Sequence, residues 1–173
     1  MAGARNTIGT GFRHDRLIKM PTKPNFRTCT PADTAACLAI FDANCPEYFA
    51  PNERADYARF LEDLPEGYEV CEVAGSVVAA FGLLAGEGAG TRLVWIMIDP
   101  RAQGHGLGRA IMQRIMAMPA ATAAGCIDIA ASQMSEPFFA RFGAVVTERT
   151  EDGWGPGMDR VDMQLTLSDR AAG

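Results

Sequence analysis

The residues whose types and spacing could do chemistry stand together as Gln103-Gly104-His105-Gly106-Leu107-Gly108, followed by Arg109. Alternating glycines leave a stretch of backbone uncovered. Between a strand and a helix, such a loop brings peptide N–H groups close to a ligand, and the unpaired N–H groups of the first helical turn point the same way, toward an anion. Two common phosphate-binding patterns do not fit. The dinucleotide fingerprint G-x-G-x-x-G needs a third glycine where Arg109 stands, and the phosphate loop of ATPases needs a Gly-Lys-Ser or Gly-Lys-Thr that does not follow.

The elements that must position this loop can be read from the pattern around it. Before it, Leu93-Val94-Trp95-Ile96-Met97-Ile98 is apolar at every position, as expected for a central strand buried on both faces, and it leads into the loop through Asp99-Pro100. After it, Ile111, Met112, Ile115 and Met116 recur at helical spacing. Upstream, residues 26–30 read as a short strand. Thr30-Pro31-Ala32-Asp33 then places a capping hydroxyl before a proline at the first helical position. That helix carries Cys37, Leu38, Ile40 and Phe41 and stops at Pro46, and a second starts near Asn52 and ends before Pro65. Residues 68–73 and 77–84, joined by Ala74-Gly75-Ser76, predict a hairpin. Gly125 precedes a strand over 126–131, a short helix over 136–142 stops at Gly143, and strands near 144–150 and 160–167 close the chain. The expected fold class is α/β (α+β), one domain over residues 25–169 with a mixed sheet of about seven strands and about four helices.

With these elements in place, Gln103-Gly104-His105-Gly106-Leu107-Gly108 resembles the Q/R-x-x-G-x-G/A signature of the GCN5-related N-acetyltransferases, the GNAT family. The resemblance covers most of residues 26–167, and Phe138-Phe139-Ala140-Arg141-Phe142-Gly143-Ala144 is similar to the family's F-Y-x-x-x-G-F element. It implies a loop gripping the pyrophosphate of acetyl-coenzyme A, with Gln103, Gly104, His105, Gly106, Leu107, Gly108 and Arg109 as cofactor-binding residues. It also implies a V-shaped cleft between the fourth and fifth strands, in which backbone groups of Ile96, Met97 and Ile98 pair with the pantetheine arm as an added strand would. Ser132 and Phe139 complete the implied cofactor contacts. Phe139 stands where many members carry a tyrosine that protonates the departing thiolate. Ser132 replaces a frequent asparagine, and Gln133 beside it is a further candidate for the sulfur end.

The implied activity is transfer of an acyl group from acetyl-coenzyme A to a primary amine of a small molecule, an amino acid or a peptide by direct attack on the thioester. An amine of ordinary pKa, about 10.4, must first lose its proton. Glu47, Glu53, Glu69 and Glu72 are candidate carboxylates, with no general acid or base assigned among them. The catalytic candidates are Met97, whose backbone N–H would face the growing charge on the thioester oxygen, and Ser132. Trp95 borders the acceptor site or fills the core, and Trp154 closes over substrate or packs at a subunit contact. Phe139 also supports an alternative, a protein that binds acyl-coenzyme A with weak or lost transfer.

Composition sets the remaining bounds. A chain of 173 residues with 48% apolar content has the size of one domain, and a net charge of −5 argues against nucleic acid as a partner. No apolar run reaches the roughly 20 residues of a membrane span. Cys29, Cys37, Cys45, Cys71 and Cys126 form no C-x-x-C pair and are odd in number, which suits buried thiols in a reducing cytoplasm and gives no metal-ligand spacing. Residues 1–24, basic and poor in large apolar side chains, are expected to be a disordered leader or extension. The paired late strands make a homodimer a reasonable expectation.

Overall fold

The structure is a computed structural model, and it describes residues 23–86 and 90–167. The leader expected over 1–24 therefore lies almost wholly outside the described residues, as do 87–89 of the glycine-rich connection and the last two residues of the expected domain.

Seven strands form one mixed sheet in the order β1-β2-β3-β4-β5-β7-β6. The strands are β1 (Asn25–Thr28), β2 (Tyr68–Val73), β3 (Ser76–Ala85), β4 (Thr91–Ile98), β5 (Cys126–Ser132), β6 (Val145–Gly155) and β7 (Met158–Thr166). Five α-helices accompany them: α1 (Thr34–Asn44), α2 (Arg54–Asp63), α3 (Leu107–Met116), α4 (Pro119–Ala124) and α5 (Glu136–Ala140). The sequence predicted one helix fewer, because the turn at Met118 and Pro119 separates two helices where one connection was expected; proline occupies the first position of the second of them, where its missing N–H is no loss.

Alternation along the strands sorts the apolar side chains onto two faces. On one face Phe81, Leu93, Ile127, Ile129, Val161 and Met163 pack with Leu107, Ile111, Met112 and Ile115 of α3 and Phe139 of α5. On the other, Tyr68, Val70, Ala80 and Met97 pack with Cys37, Ile40 and Phe41 of α1 and Tyr57 and Leu61 of α2. Each large side chain buried in this way contributes about 2 kcal/mol. The start of the first helix is held differently from the expected hydroxyl cap. The Asp33 carboxylate accepts from the Thr30 N–H (2.8 Å) and from the Thr30 hydroxyl (2.9 Å), so the threonine donates. Arg27 then bridges Asp33 (2.7 Å) to Glu72 on β2 (2.7 Å), and its guanidinium holds the Asp33 carboxyl well below the usual carboxylate range.

β4 is central in the sheet but not buried along its whole length. Its apolar run has Val94, Trp95, Ile96 and Ile98 only half-buried, since these residues line an opening in the sheet. Among the described residues, no helix is long and apolar enough to cross a membrane.

Candidate active site

β4 and β5 are a parallel pair that does not stay paired. They are in register at Thr91 and Ile127, Arg92 and Asp128, and Leu93 and Ile129, and nowhere beyond. From there the strands splay, which leaves a V-shaped cleft of about 940 Å³. Its walls are Ile96 and Ile98 on one strand and Ala130 and Ser132 on the other.

A bulge shapes the β4 wall. Ala80 pairs with Met97 while Gly82 pairs with Val94, so β4 carries one extra residue at Trp95 and Ile96. Trp95 has φ of 45°, a left-handed conformation that costs a non-glycine residue about 1–2 kcal/mol. Two contacts hold it there: its carbonyl accepts from the Tyr68 hydroxyl (3.1 Å), and its ring packs on Tyr57 at 4.9 Å between centroids. Tyr68 also shares a 2.8 Å hydrogen bond with Tyr57, and burial pushes both phenols up, which keeps them protonated as donors.

Past the bulge the ladder decides which backbone groups face the cleft. The Asp99 N–H donates to Val78 O (2.8 Å), and antiparallel pairs alternate, so Met97 turns its N–H and carbonyl to Ala80 on β3. Ile98 turns its N–H and carbonyl to the cleft side, and the Ile96 carbonyl, trans to the Met97 N–H across their shared peptide, faces the same way. The Met97 amide expected to face the thioester is thus directed into the sheet, and the Met97 side chain is buried against α1 and α2. Ile98 O accepts from Asn44 on α1 (3.0 Å) and from Gln103 (3.2 Å). Gln103 therefore pins the end of β4 with its amide, although it also lines the cleft.

At the mouth of the V, Gly104 (φ 78°) and Gly106 (φ 82°) adopt left-handed conformations, and a Cβ on either would meet open space. Gly108 is different: a Cβ there would lie 2.8 Å from the Phe138 ring, so this glycine lets α3 pack on α5. Among the described residues, none of the N–H groups from 104 to 109 donates to a backbone acceptor, and the helix ladder begins with the Ala110 N–H donating to Gly106 O (3.1 Å). N–H groups left unpaired at a helix start and in the loop before it are the kind of donors that can hold an anion. Leu107 contributes only its backbone, since its side chain is buried, and the exposed His105 side chain does not reach the cleft. Arg109 and Arg141 line the cleft and add positive charge.

The far side of the V is built by side chains. Tyr48, Phe49 and Glu53 come from the α1–α2 connection, Trp95 from β4, and Trp154 and Arg160 from β6 and β7. Of the four candidate carboxylates only Glu53 lines the cleft. Glu69 is tied to Arg114 (2.8 Å), Glu72 to Arg27, and Glu47 is exposed elsewhere. One Glu53 oxygen accepts from the Ala50 N–H (2.7 Å). Burial pushes the Glu53 carboxyl up from its ordinary value, the Ala50 N–H opposes that shift, and Asp56 adds to it. Trp154 donates its indole N–H to Ala131 O (2.9 Å), and its carbonyl accepts from Asn52 (3.2 Å). The hairpin is thereby closed over the α1–α2 connection. Gln133, a candidate for the sulfur end, instead holds that hairpin through Gly157 O and the Asp159 N–H, both at 2.9 Å.

Ser132 is buried at the splayed end of β5, with its hydroxyl 3.3 Å from that of Ser135, and both residues line the cleft. Phe139 lies beside them, 3% exposed and packed edge-on against Phe138 at 5.1 Å. Of the three tyrosines, Tyr48 alone lines the cleft.

The comparisons agree with this geometry. A search of curated protein sequences found no match. Among solved structures, Ard1 from Thermoplasma volcanium superposes with a TM-score of 0.71 at 19% identity, over 84% of this chain and 99% of that one. The ribosomal-protein-S18-alanine N-acetyltransferase of Escherichia coli gives 0.68 at 17% identity, over 87% and 97%. The yncA protein of Salmonella typhimurium, solved with its cofactor acetyl-CoA, gives 0.64 at 20% identity, over 88% and 98%. At such identities the likeness is one of fold. A family model described as "Acetyltransferase (GNAT) domain" matches residues 46–167, which takes in the cleft from the α1–α2 connection to β7. Because that match spans well over half of the chain, the protein belongs to the GNAT acetyltransferases, whose acyl donor is acetyl-coenzyme A.

Proposed function

We propose that the protein is an N-acetyltransferase that moves the acyl group of acetyl-coenzyme A to a primary amine of a small molecule, an amino acid or a peptide, by direct attack on the thioester. The observation that carries this reading is the run of N–H groups at 104–109, none with a backbone partner among the described residues, in the loop at the mouth of a cleft whose β4 wall offers the Ile96 carbonyl and the Ile98 N–H. The fit to the donor rests on the same feature: a diphosphate needs uncovered N–H donors, and the open space where Gly104 and Gly106 lack a Cβ gives it access.

When bound, acetyl-coenzyme A supplies the activated acyl group. The backbone edge at Ile96 and Ile98 aligns it as an added strand would be aligned. Glu53 takes the proton from the incoming ammonium, and its raised affinity for protons brings it nearer to the pKa of its task. The Ile96 N–H takes the oxyanion role first assigned to Met97, and such a donor contributes roughly 3 kcal/mol. The Ser132 hydroxyl donates to the departing sulfur in place of the missing tyrosine. A thiol of ordinary pKa, about 8.5, is a workable leaving group with that help, and water carries the second proton, lost by the nitrogen after its attack, to the thiolate.

The buried, hydroxyl-free Phe139 favours a second reading, an acyl-coenzyme A-binding protein with weak transfer. One experiment decides between them: thiol release from acetyl-coenzyme A with a panel of amines, run beside thermal stabilisation by coenzyme A. Turnover with a primary amine is the expected result. Stabilisation without turnover would favour the second reading, and neither effect would overturn both.

A further inference from the structure

The acceptor end of the cleft has a chemistry of its own. Alternation along β7 puts Val161, Met163 and Leu165 into the larger core, so Arg160 points to the opposite face, shared with Glu53, Tyr48, Phe49 and Trp95. Two contacts orient Arg160 there. Its Nε and Nη2 donate to the Asp162 carboxylate at 2.7–3.1 Å, and its guanidinium lies 5.2 Å above the centre of the Trp154 ring. A guanidinium has five N–H groups, and Asp162 uses the side edge only. The end edge, Nη1 with the second N–H of Nη2, has no partner among the described residues and remains for a second carboxylate. Arg92 adds another cation on the same lining, against the single carboxylate of Glu53.

The walls between these charges are aromatic: Tyr48, Phe49, Trp95 and Trp154. The α1–α2 connection and the hairpin also meet beside these walls: Asn52 donates to Trp154 O (3.2 Å), and a Cβ at Gly155 would lie 3.2 Å from the Asn52 side chain. From this we infer that the acceptor is a free amino acid with an apolar or aromatic side chain, its amine at Glu53 and its carboxylate on the end edge of Arg160. The assignment rests on the transferase reading of the cleft and narrows its acceptor class. A peptide amine is disfavoured because it brings no carboxylate to Arg160.

The test reads binding first, so that it does not depend on turnover. Isothermal calorimetry on the full chain saturated with coenzyme A compares L-phenylalanine with L-phenylalanine amide, phenethylamine and a tetrapeptide that begins with phenylalanine. Loss of a charge-assisted bidentate contact predicts that the amino acid binds about 10- to 100-fold tighter than the other probes. In Arg160→Gln that ratio falls to about one, and in Arg160→Lys, which keeps the charge without the fork, it falls part of the way. The same ratios are expected in kcat/KM from thiol release. An amide or peptide that binds as tightly as the amino acid, or no binding of L-phenylalanine at all, would overturn the inference in the unaltered protein, whatever the variants do. A ratio that survives Arg160→Gln would overturn the role of Arg160. Selective binding of the amino acid with no thiol release would sink the transferase reading while supporting the acceptor site.

Discussion

The two halves of the cleft, as proposed, recognise their ligands by different means. On the proposed donor half the groups offered are peptide N–H and C=O groups within residues 96–109, and the side chains of Leu107 and Met97 are turned into the core. On the proposed acceptor half the groups offered are side chains, Glu53, Arg160 and four aromatic rings, carried by β4, a connection and a hairpin. A backbone site tolerates any residue that preserves its conformation, so the donor can stay fixed while the sequence drifts. A side-chain site changes its ligand with every substitution.

That contrast can be broken or sharpened by four substitutions. The largest effect is expected on the acceptor half. Glu53→Gln should lower kcat/KM for the amine about 100- to 10,000-fold, the usual worth of a general base. The amide can still accept from the Ala50 N–H, and a half-buried carboxylate with a raised pKa costs stability at neutral pH, so the melting temperature should hold or rise. The pH profile gives the sign: the carboxylate is the active form and its pKa is raised, so activity should climb with pH through a value above the ordinary carboxyl range, and that limb should vanish in the variant. Unchanged kcat/KM in Glu53→Gln would remove the base from the mechanism.

Next, Gly106→Val should weaken coenzyme A about 10- to 100-fold, since it forces a β-branched residue into φ of 82° and fills the space before the N–H row. The fold should survive, because nothing of the protein lies within 4 Å of the new Cβ. Unaltered affinity in a calorimetric titration would deny the loop its role. Ser132→Ala should cost a few-fold to about 10-fold in kcat with the KM for acetyl-coenzyme A little changed, as expected for a neutral donor helping a leaving group that can depart without it. His105→Ala is the control for backbone recognition. Its exposed side chain lies outside the cleft lining, so coenzyme A affinity should move by less than about 2-fold; a larger loss would mean that a side chain reads the phosphates.

The donor half was the legible half, for a physical reason. The apolar run 93–98, the glycines at 104, 106 and 108 and the helical spacing of Ile111 and Ile115 are all local, and their order alone places a glycine-rich loop between the end of a strand and the start of a helix. The hairpin of β2 and β3 was readable from its turn residues in the same way. What the local pattern could not carry was pairing. The bulge at Trp95 exists only because Ala80 pairs with Met97 and Gly82 with Val94, and the direction of the Met97 amide follows from that register. The acceptor half depends on longer reach still: Asn52 and Trp154 meet across 102 positions of sequence. Glu47 and Glu53 were equal as carboxylates in one stiff connection, and the cap on Ala50 turns only one of them inward. Gln133 and Glu69 were chemically reasonable as well, but partners distant in the chain had already claimed them.

The chain contains only two tryptophans, and both stand in the wall of the cleft, Trp95 at 4.9 Å from the Tyr57 ring and Trp154 beneath a guanidinium. No third indole elsewhere dilutes their emission. The unlabelled protein therefore carries its own optical reporter: ultraviolet excitation near the red edge of protein absorption interrogates the working crevice alone, and quenching or a wavelength shift on titration registers what has entered it.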